Sequence, residues 1–344
     1  MAIHKKTLEI TNFIFDNVSQ HPNDIASLVA NQFGLSRQAS NRHLKRLVEK
    51  GHILSEGVTR NKSYKLTSQN LLEKEYAVNE QLNEGDVWYR DIAPLLGDLP
   101  ENIKDIWDYG FTEMFNNVID HSGSPTVKVF VDKTAAGFKI LIADHGEGIF
   151  RKIQKALSLT DQRHAVLELA KGKFTTDPDN HSGEGIFFSS RAFDNFMILS
   201  DSIHFSHGSD SVHDWIMENT SRVNGTAVFM EINNHSLHNI TEIFDDYASE
   251  EDDYGFNQTV VPVKLAQNGD GKLVSRSQAK RVLAGLDKFT NILFDFIGVE
   301  TIGQAFADQI FRIYKNQHPE IKIIYINTNR NLDNMINRAL TAKN

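Results

Sequence analysis

A carboxylate and a carboxamide stand four residues apart at Glu113 and Asn117, within the stretch TEMFNNVIDHS that runs from Thr112 to Ser122. Apolar Phe111, Met114, Phe115, Val118 and Ile119 fall at the spacing of an amphipathic helix. Glu113, Asn116, Asn117 and Asp120 occupy the opposite face. Residues four apart on a helix project from one side, a turn from each other. A carboxylate and a carboxamide held that way suit a hydrated divalent cation and a polarised water. Most polar helix faces are merely solvated, so the pair gains meaning only from its neighbours in the chain.

Further along, two alternating runs, Thr126 to Asp132 and Phe138 to Ala143, flank the turn KTAAG and read as a β-hairpin. The second run ends in an acid followed by spaced glycines, Asp144-His-Gly146-Glu-Gly148-Ile149. A second such box, His181-Ser182-Gly183-Glu184-Gly185-Ile186-Phe187, opens an expected helix, and Gly225-Thr226 starts the apolar strand TAVFMEI. Each glycine pair by itself is compatible with an ordinary turn. The P-loop pattern GxxxxGK[ST] is absent from the chain.

Taken in order over roughly Asn79 to Ile232, these boxes resemble the ATP-binding domain shared by gyrase, large chaperone ATPases, mismatch-repair proteins and histidine kinases, the GHKL or Bergerat fold. The resemblance implies ATP and Mg²⁺ as ligands. It implies that Glu113 orients or activates water, that Asn117 ligates Mg²⁺, and that Asp144 accepts from the adenine amine. Gly146 and Gly148 would let the base approach the backbone, and Thr226 would contact the adenine side. Ser182, Gly183 and Gly185 would offer amides to phosphates at a helix start. The polar stretch KGKFTTDPDNH, Lys171 to His181, corresponds to the family's mobile lid, where Lys171 and Lys173 could meet phosphate charge. His164 is expected to be an exposed helix residue, and His121 and Glu184 receive no role. The chain departs from orthodox histidine kinases in lacking their phosphoacceptor His on a preceding dimerisation helix.

Composition bounds the rest. A chain of 344 residues, 40% apolar and 24% charged, has the makeup of a soluble protein of two or three domains. It has no apolar run of membrane-spanning length and no signal-like core after MAIHKK. The absence of cysteine excludes disulfides and thiolate chemistry, and a cytoplasmic location is expected. Residues 1–75 carry 11 Lys and Arg against 7 Asp and Glu, whereas the remainder carries 25 against 38. A basic module on an acidic body points to nucleic acid at the N-terminus only.

That module reads as a helix Ile25 to Phe33, capped by Asp24 and ended by Gly34, then a helix RQASNRHLKRLVEKG capped by Ser36 and stopped at Gly51. Strands around His52–Leu54 and Ser63–Leu66 come next. Over residues 1–70 the arrangement resembles bacterial winged helix-turn-helix regulators. Arg37, Gln38, Asn41, Arg42 and Lys45 on the second helix, with Arg60 and Lys62 on the wing, would contact double-stranded DNA. A homodimer is expected, since such modules read palindromes in pairs. A protein-docking winged helix is the other reading. The connector is read as a helix over Leu71–Leu82 and a short segment between Pro94 and Pro100.

Beyond Ile232 acids cluster at Glu242, Asp245, Asp246, Glu250, Glu251, Asp252 and Asp253, read as a linker or a solvated face. Alternating elements then signal an α/β layer domain: a helix over Ser277–Leu286, a strand over Asn291–Phe296, a helix over Gln304–Lys315, a strand over Ile321–Ile326 and a final helix. FIGVETIGQAFADQI resembles the STAS signature, but Gln304 and Ala305 stand where a phosphorylatable serine is usual, which puts a serine switch in doubt. The expected architecture is multidomain α/β: a winged helix-turn-helix over 1–70, a GHKL α/β sandwich over 79–235, and a STAS-like domain over 255–344 that offers a surface to a protein partner. The expected function is an ATP-operated bacterial transcriptional regulator. A protein kinase of the anti-sigma type and a slow conformational ATPase are the alternatives.

Overall fold

The computed structural model describes residues 2–58, 61–175, 182–208, 215–249, 252–267 and 271–342. Its contacts form two units, residues 1–74 with 129–141 and 231–236, and residues 75–128 with 142–230 and 237–344.

The first unit begins with helices α1 (Ala2–Asn17), α2 (Ile25–Phe33) and α3 (Arg37–Glu49), followed by the antiparallel pair β1 (Ile53–Glu56) and β2 (Ser63–Leu66). Ser36 caps α3 by accepting from the Ala39 amide at 3.1 Å, and Gly34 ends α2 in the left-handed region. Asp24 does not cap α2 as expected. Its carboxylate lies 3.2 Å from His21 Nδ1 instead, and the Ile25 amide is satisfied by the His21 carbonyl. Helix α1 was not among the expected elements; its Ile10 and Ile14, with Val18 just past its end, are buried one turn apart. They pack with Ile25, Val29, Leu44, Leu47, Ile53 and Tyr64 into one core.

The segment after Ser68 is β3 (Gln69–Ala77), which corrects the helix expected over Leu71–Leu82. Leu, Glu, Lys and Ala favour helix locally, but Leu72, Lys74 and Tyr76 turn inward while Glu73, Glu75 and Ala77 stay exposed. That period of two is imposed by pairing alongside β4, and tertiary pairing overrides propensity. Short helices α4 (Glu84–Val87) and α5 (Ala93–Leu96) lead to α6 (Glu101–Asn117), which passes into a π-helical turn over Val118–Ser122. β4 (Thr126–Lys133) and β5 (Gly137–Asp144) form the expected hairpin, its turn held by the Thr134 hydroxyl accepting from the Ala136 and Gly137 amides.

Next come α7 (Ile149–Ala156), α8 (Arg163–Lys171), α9 (Gly185–Ala192), β6 (Asn195–Gly208) and β7 (Trp215–Asn233). The strand expected to start at Gly225-Thr226 therefore begins earlier, and that pair lies inside β7. The sheet runs β3-β4-β5-β7-β6. His164, expected to be exposed, is buried at 4% exposure because α8 is apolar nearly all round, with Ala165, Val166, Leu167, Leu169 and Ala170 also buried.

The acidic stretch holds α10 (Ile240–Asp245), β8 (Ala248–Ser249) and β9 (Asp252–Phe256), so it is more than a linker. Phe244, Tyr247 and Phe256 interleave with Phe187 and Phe188 of α9 at ring separations of 4.6–6.1 Å. The chain closes with β10 (Gln258–Pro262), α11 (Arg276–Leu283), β11 (Asn291–Asp295), α12 (Gln304–Asp308), which continues as a π turn into α13 (Lys315–Gln317), β12 (Lys322–Ile326) and α14 (Arg330–Thr341). β10, β11 and β12 form a parallel three-stranded sheet in which Gln258 aligns with Asn291 and Asn291 with Lys322. Among the described residues no helix is long and apolar enough to cross a membrane.

Candidate functional site

The polar pair on α6 is held by what lies beneath it. Ile103, Ile106, Trp107, Phe111, Met114, Phe115 and Val118 are buried, which fixes the rotation of the helix and turns Glu113 and Asn117 the other way. Both line a cavity of about 250 Å³ in the second unit. Asp144, Gly148, Ser182, Gly183, Gly185 and Thr226 line it too. Gly146, expected at the same site, is not one of the lining residues. The structure thus brings together residues more than a hundred positions apart.

Asp144 ends β5 with 4% exposure, and its Oδ1 accepts from the Gly146 amide at 2.7 Å. Burial pushes its carboxyl above the usual range, against the opposing pull of amide bonds from Gly146 and Thr226 and the charge of His145. The turn after Asp144 requires glycine twice. A Cβ on Gly146 would sit 2.0 Å from the Ser122 carbonyl oxygen, and Gly148, at φ +88°, would drive one to 2.6 Å from Ser200 Oγ. The Thr226 hydroxyl accepts from the Ile149 amide at 3.0 Å, tying the β7 pair to the start of α7. Across the cavity, the first residue of α9 abuts Glu113: a Cβ on Gly185 would fall 2.0 Å from Glu113 Oε2. The glycine thus admits a helix start against a carboxylate.

The two lysines that could meet phosphate charge have other partners in the structure. Lys171 is buried at 2% exposure, donating to Glu168 at 2.8 Å and to the carbonyls of Arg281 and Ala284 at 3.1 and 2.9 Å. Lys173 donates to the Lys288 carbonyl at 3.3 Å and lies 5.4 and 5.0 Å from the ring centres of Phe256 and Phe289. Both are drawn off because carbonyls and aromatic faces of the C-terminal segment offer them partners. Of the expected lid, residues 176–181 lie outside the described residues. Glu184 precedes α9, and burial pushes its carboxyl up. His121, Lys152 and apolar residues that include Met114, Ile142, Ile149, Ile153, Leu169 and Val228 also line the cavity. Lys152 was not among the expected site residues; in the sequence it stands in a basic run with Arg151 and Lys155. Its helical spacing from Ile149 was the available signal. Among the described residues no group of three or more His, Asp or Glu is placed to hold a metal by itself, so a cation here would need ligands from elsewhere.

On the first unit Arg37, Gln38, Asn41, Arg42 and Lys45 share the exposed side of α3, while Ser40, Leu44 and Leu47 are buried. Lys45 lies 3.8 Å from Glu49, and Lys62 rests its ammonium 5.0 Å from the Tyr64 ring centre. Arg60 lies outside the described residues.

Residues 278–333 match the family described as a STAS-like domain of unknown function (DUF4325). The chain carries a STAS-like domain at its C-terminal end. Matched residues run from within α11 to the first turns of α14. Gln304 and Ala305 open α12 there, neither bearing a hydroxyl. No curated protein matches the chain.

Proposed function

We propose that this chain is an ATP-binding regulatory protein of the GHKL type, with an N-terminal winged helix-turn-helix that contacts duplex DNA and a STAS-like domain that contacts a protein. The observation that carries the nucleotide reading is the convergence of Glu113, Asn117, Asp144, Gly148, Gly183, Gly185 and Thr226 on one cavity. A buried carboxylate beside two obligatory glycines suits a planar base that donates from an exocyclic amine and approaches the backbone. The start of α9 offers unpaired amides and partial positive charge to phosphates. Asn117, which lines the cavity, would hold Mg²⁺, an ion usually bound by few protein ligands. The ion would neutralise phosphate charge. Glu113, on the same helix face, would accept a proton from water.

The exposed polar side of α3, with a β-ribbon after it, supports the DNA reading. A slow ATPase is the second reading, favoured by Glu113 lining the cavity beside the α9 start. Incubation with γ-labelled ATP and Mg²⁺ separates the possibilities. Label retained on intact bound nucleotide supports an ATP-held switch. Free phosphate that disappears in Glu113→Ala supports hydrolysis, and label on protein supports a kinase. No retention of nucleotide in any form overturns the proposal.

A further inference from the structure

Three cationic side chains leave α7, Arg151, Lys152 and Lys155, and the structure gives them different fates. Arg151 donates to Asp201 at 2.8 Å and Lys155 pairs with Glu147, so each is matched by a carboxylate on the outer side of the helix. Lys152 turns the other way. With Ile149 and Ile153, three and one positions from it, Lys152 lines the cavity, and among the described residues it is the one lysine or arginine in that wall. Its ammonium donates to the His121 carbonyl at 2.8 Å, a neutral acceptor that uses one of its three N–H groups, and at longer range its charge acts with those of Lys155 and Arg151 on Glu147. The amide of the same residue closes the first turn of α7 onto Gly148, so its backbone is fixed to the glycine turn after Asp144.

The charges of the cavity walls otherwise run against an anion. Glu113 and Asp144 both line it. A polyphosphate entering beside two carboxylates needs a cation held in place, and the lysines of the 171–173 stretch are bound to carbonyls of the C-terminal segment.

We infer that Lys152 is the phosphate-binding side chain of this pocket, exchanging its bond to the His121 carbonyl for a charge-assisted bond to a phosphate oxygen of the bound nucleotide. The inference rests on the ATP reading. It adds that the pocket selects phosphorylated nucleotides over the nucleoside through a residue on the helix after the first glycine box. A charge-assisted bond is stronger than the neutral one it replaces, which gives the exchange its direction.

Calorimetry with adenosine, AMP, ADP and ATP, each with and without Mg²⁺, tests this on the full chain and on Lys152→Met and Lys152→Arg. Lys152→Met should weaken ATP by about tenfold to a hundredfold, the range of a lost hydrogen bond to a charged group, and leave adenosine unchanged. Lys152→Arg should recover part of the loss. Equal losses for ATP and adenosine, or no loss for either, overturn the inference. In the unaltered chain, amine acylation read by mass spectrometry supplies a measurement independent of any variant's folding. ATP should shield Lys152 from modification and adenosine should not; labelling unchanged by ATP overturns the inference. Failure of the unaltered chain to bind any adenine nucleotide would instead remove the ATP reading beneath it.

Discussion

Asp144 couples the pocket to pH in two opposite senses. Its carboxyl is raised by burial, so protonation sets in at higher pH than for an ordinary aspartate. For folding, a raised acid contributes stability that is fully present below the unfolded pKa and is lost as pH rises through the folded pKa. For binding, the ionised form accepts the adenine amine, so affinity falls as pH drops through that raised value. The stability difference between the parent and Asp144→Asn should therefore shift in the parent's favour on acidification, while the parent's ATP affinity declines. Thermal melts and calorimetry over the same buffers read both, and parallel pH trends would contradict the assignment. At neutral pH Asp144→Asn should weaken ATP about tenfold or more, from a hydrogen bond left unpaired in a buried site; unchanged affinity in a folded variant would remove Asp144 from the base-binding role. The positions of Glu113, Asn117, Asp144 and the glycines were legible in the sequence because motif spacing preserves backbone requirements, such as the positive φ at Gly148. Lys152 was not legible. A lysine between Arg151 and Lys155 reads as solvated until the direction of each side chain is known.

Helices with one apolar stripe were read where the stripe is plain: α3 between Ser36 and Gly51, and the last turns of α6 from Phe111, though not its start at Glu101 or its passage into a π turn. Where the pattern is ambiguous, packing decided. β3 holds residues of helical propensity, and α8 is apolar on nearly all sides, which leaves no polar face to mark its orientation. The burial of Lys171 at the end of α8 arises from elements distant in sequence. Its ammonium serves Glu168 and two carbonyls at the end of α11, while the Thr259 hydroxyl of β10 donates to the Lys171 carbonyl at 2.6 Å. Burial lowers its pKa, with the Glu168 charge opposing that shift. Lys171→Met should destabilise the chain by about 3–5 kcal/mol, because the largely buried Glu168 loses its counter-charge. Adding Glu168→Leu should restore part of the loss. Denaturant melts of the single and double variants give the comparison; a double variant as unstable as Lys171→Met would show that the lost carbonyl bonds, rather than the stranded carboxylate, dominate.

The chain as a whole is acidic at −9, so any duplex must be drawn by the local charge of the N-terminal module. Each neutralised phosphate contributes about −0.9 to the slope of log affinity against log salt, so four to six contacts per protomer give a slope of roughly −4 to −5. Arg42→Ala with Lys45→Ala should flatten it by about 2 units. Anisotropy on a pool of duplexes over a salt series, with and without ATP, measures this. Absence of binding at low salt in both states would favour the protein-docking alternative. The attachment of Lys171 to α11 also bears on inheritance. A gene shortened before residue 258 would encode a chain that lacks the two carbonyls accepting from Lys171 and the Thr259 hydroxyl on its own carbonyl, and water would take their place. Recombination that covered the same place with an apolar portion would strand the ammonium. An exchange of the C-terminal portion would therefore need either an acceptor set brought to the same place or a compensating change at Lys171 itself.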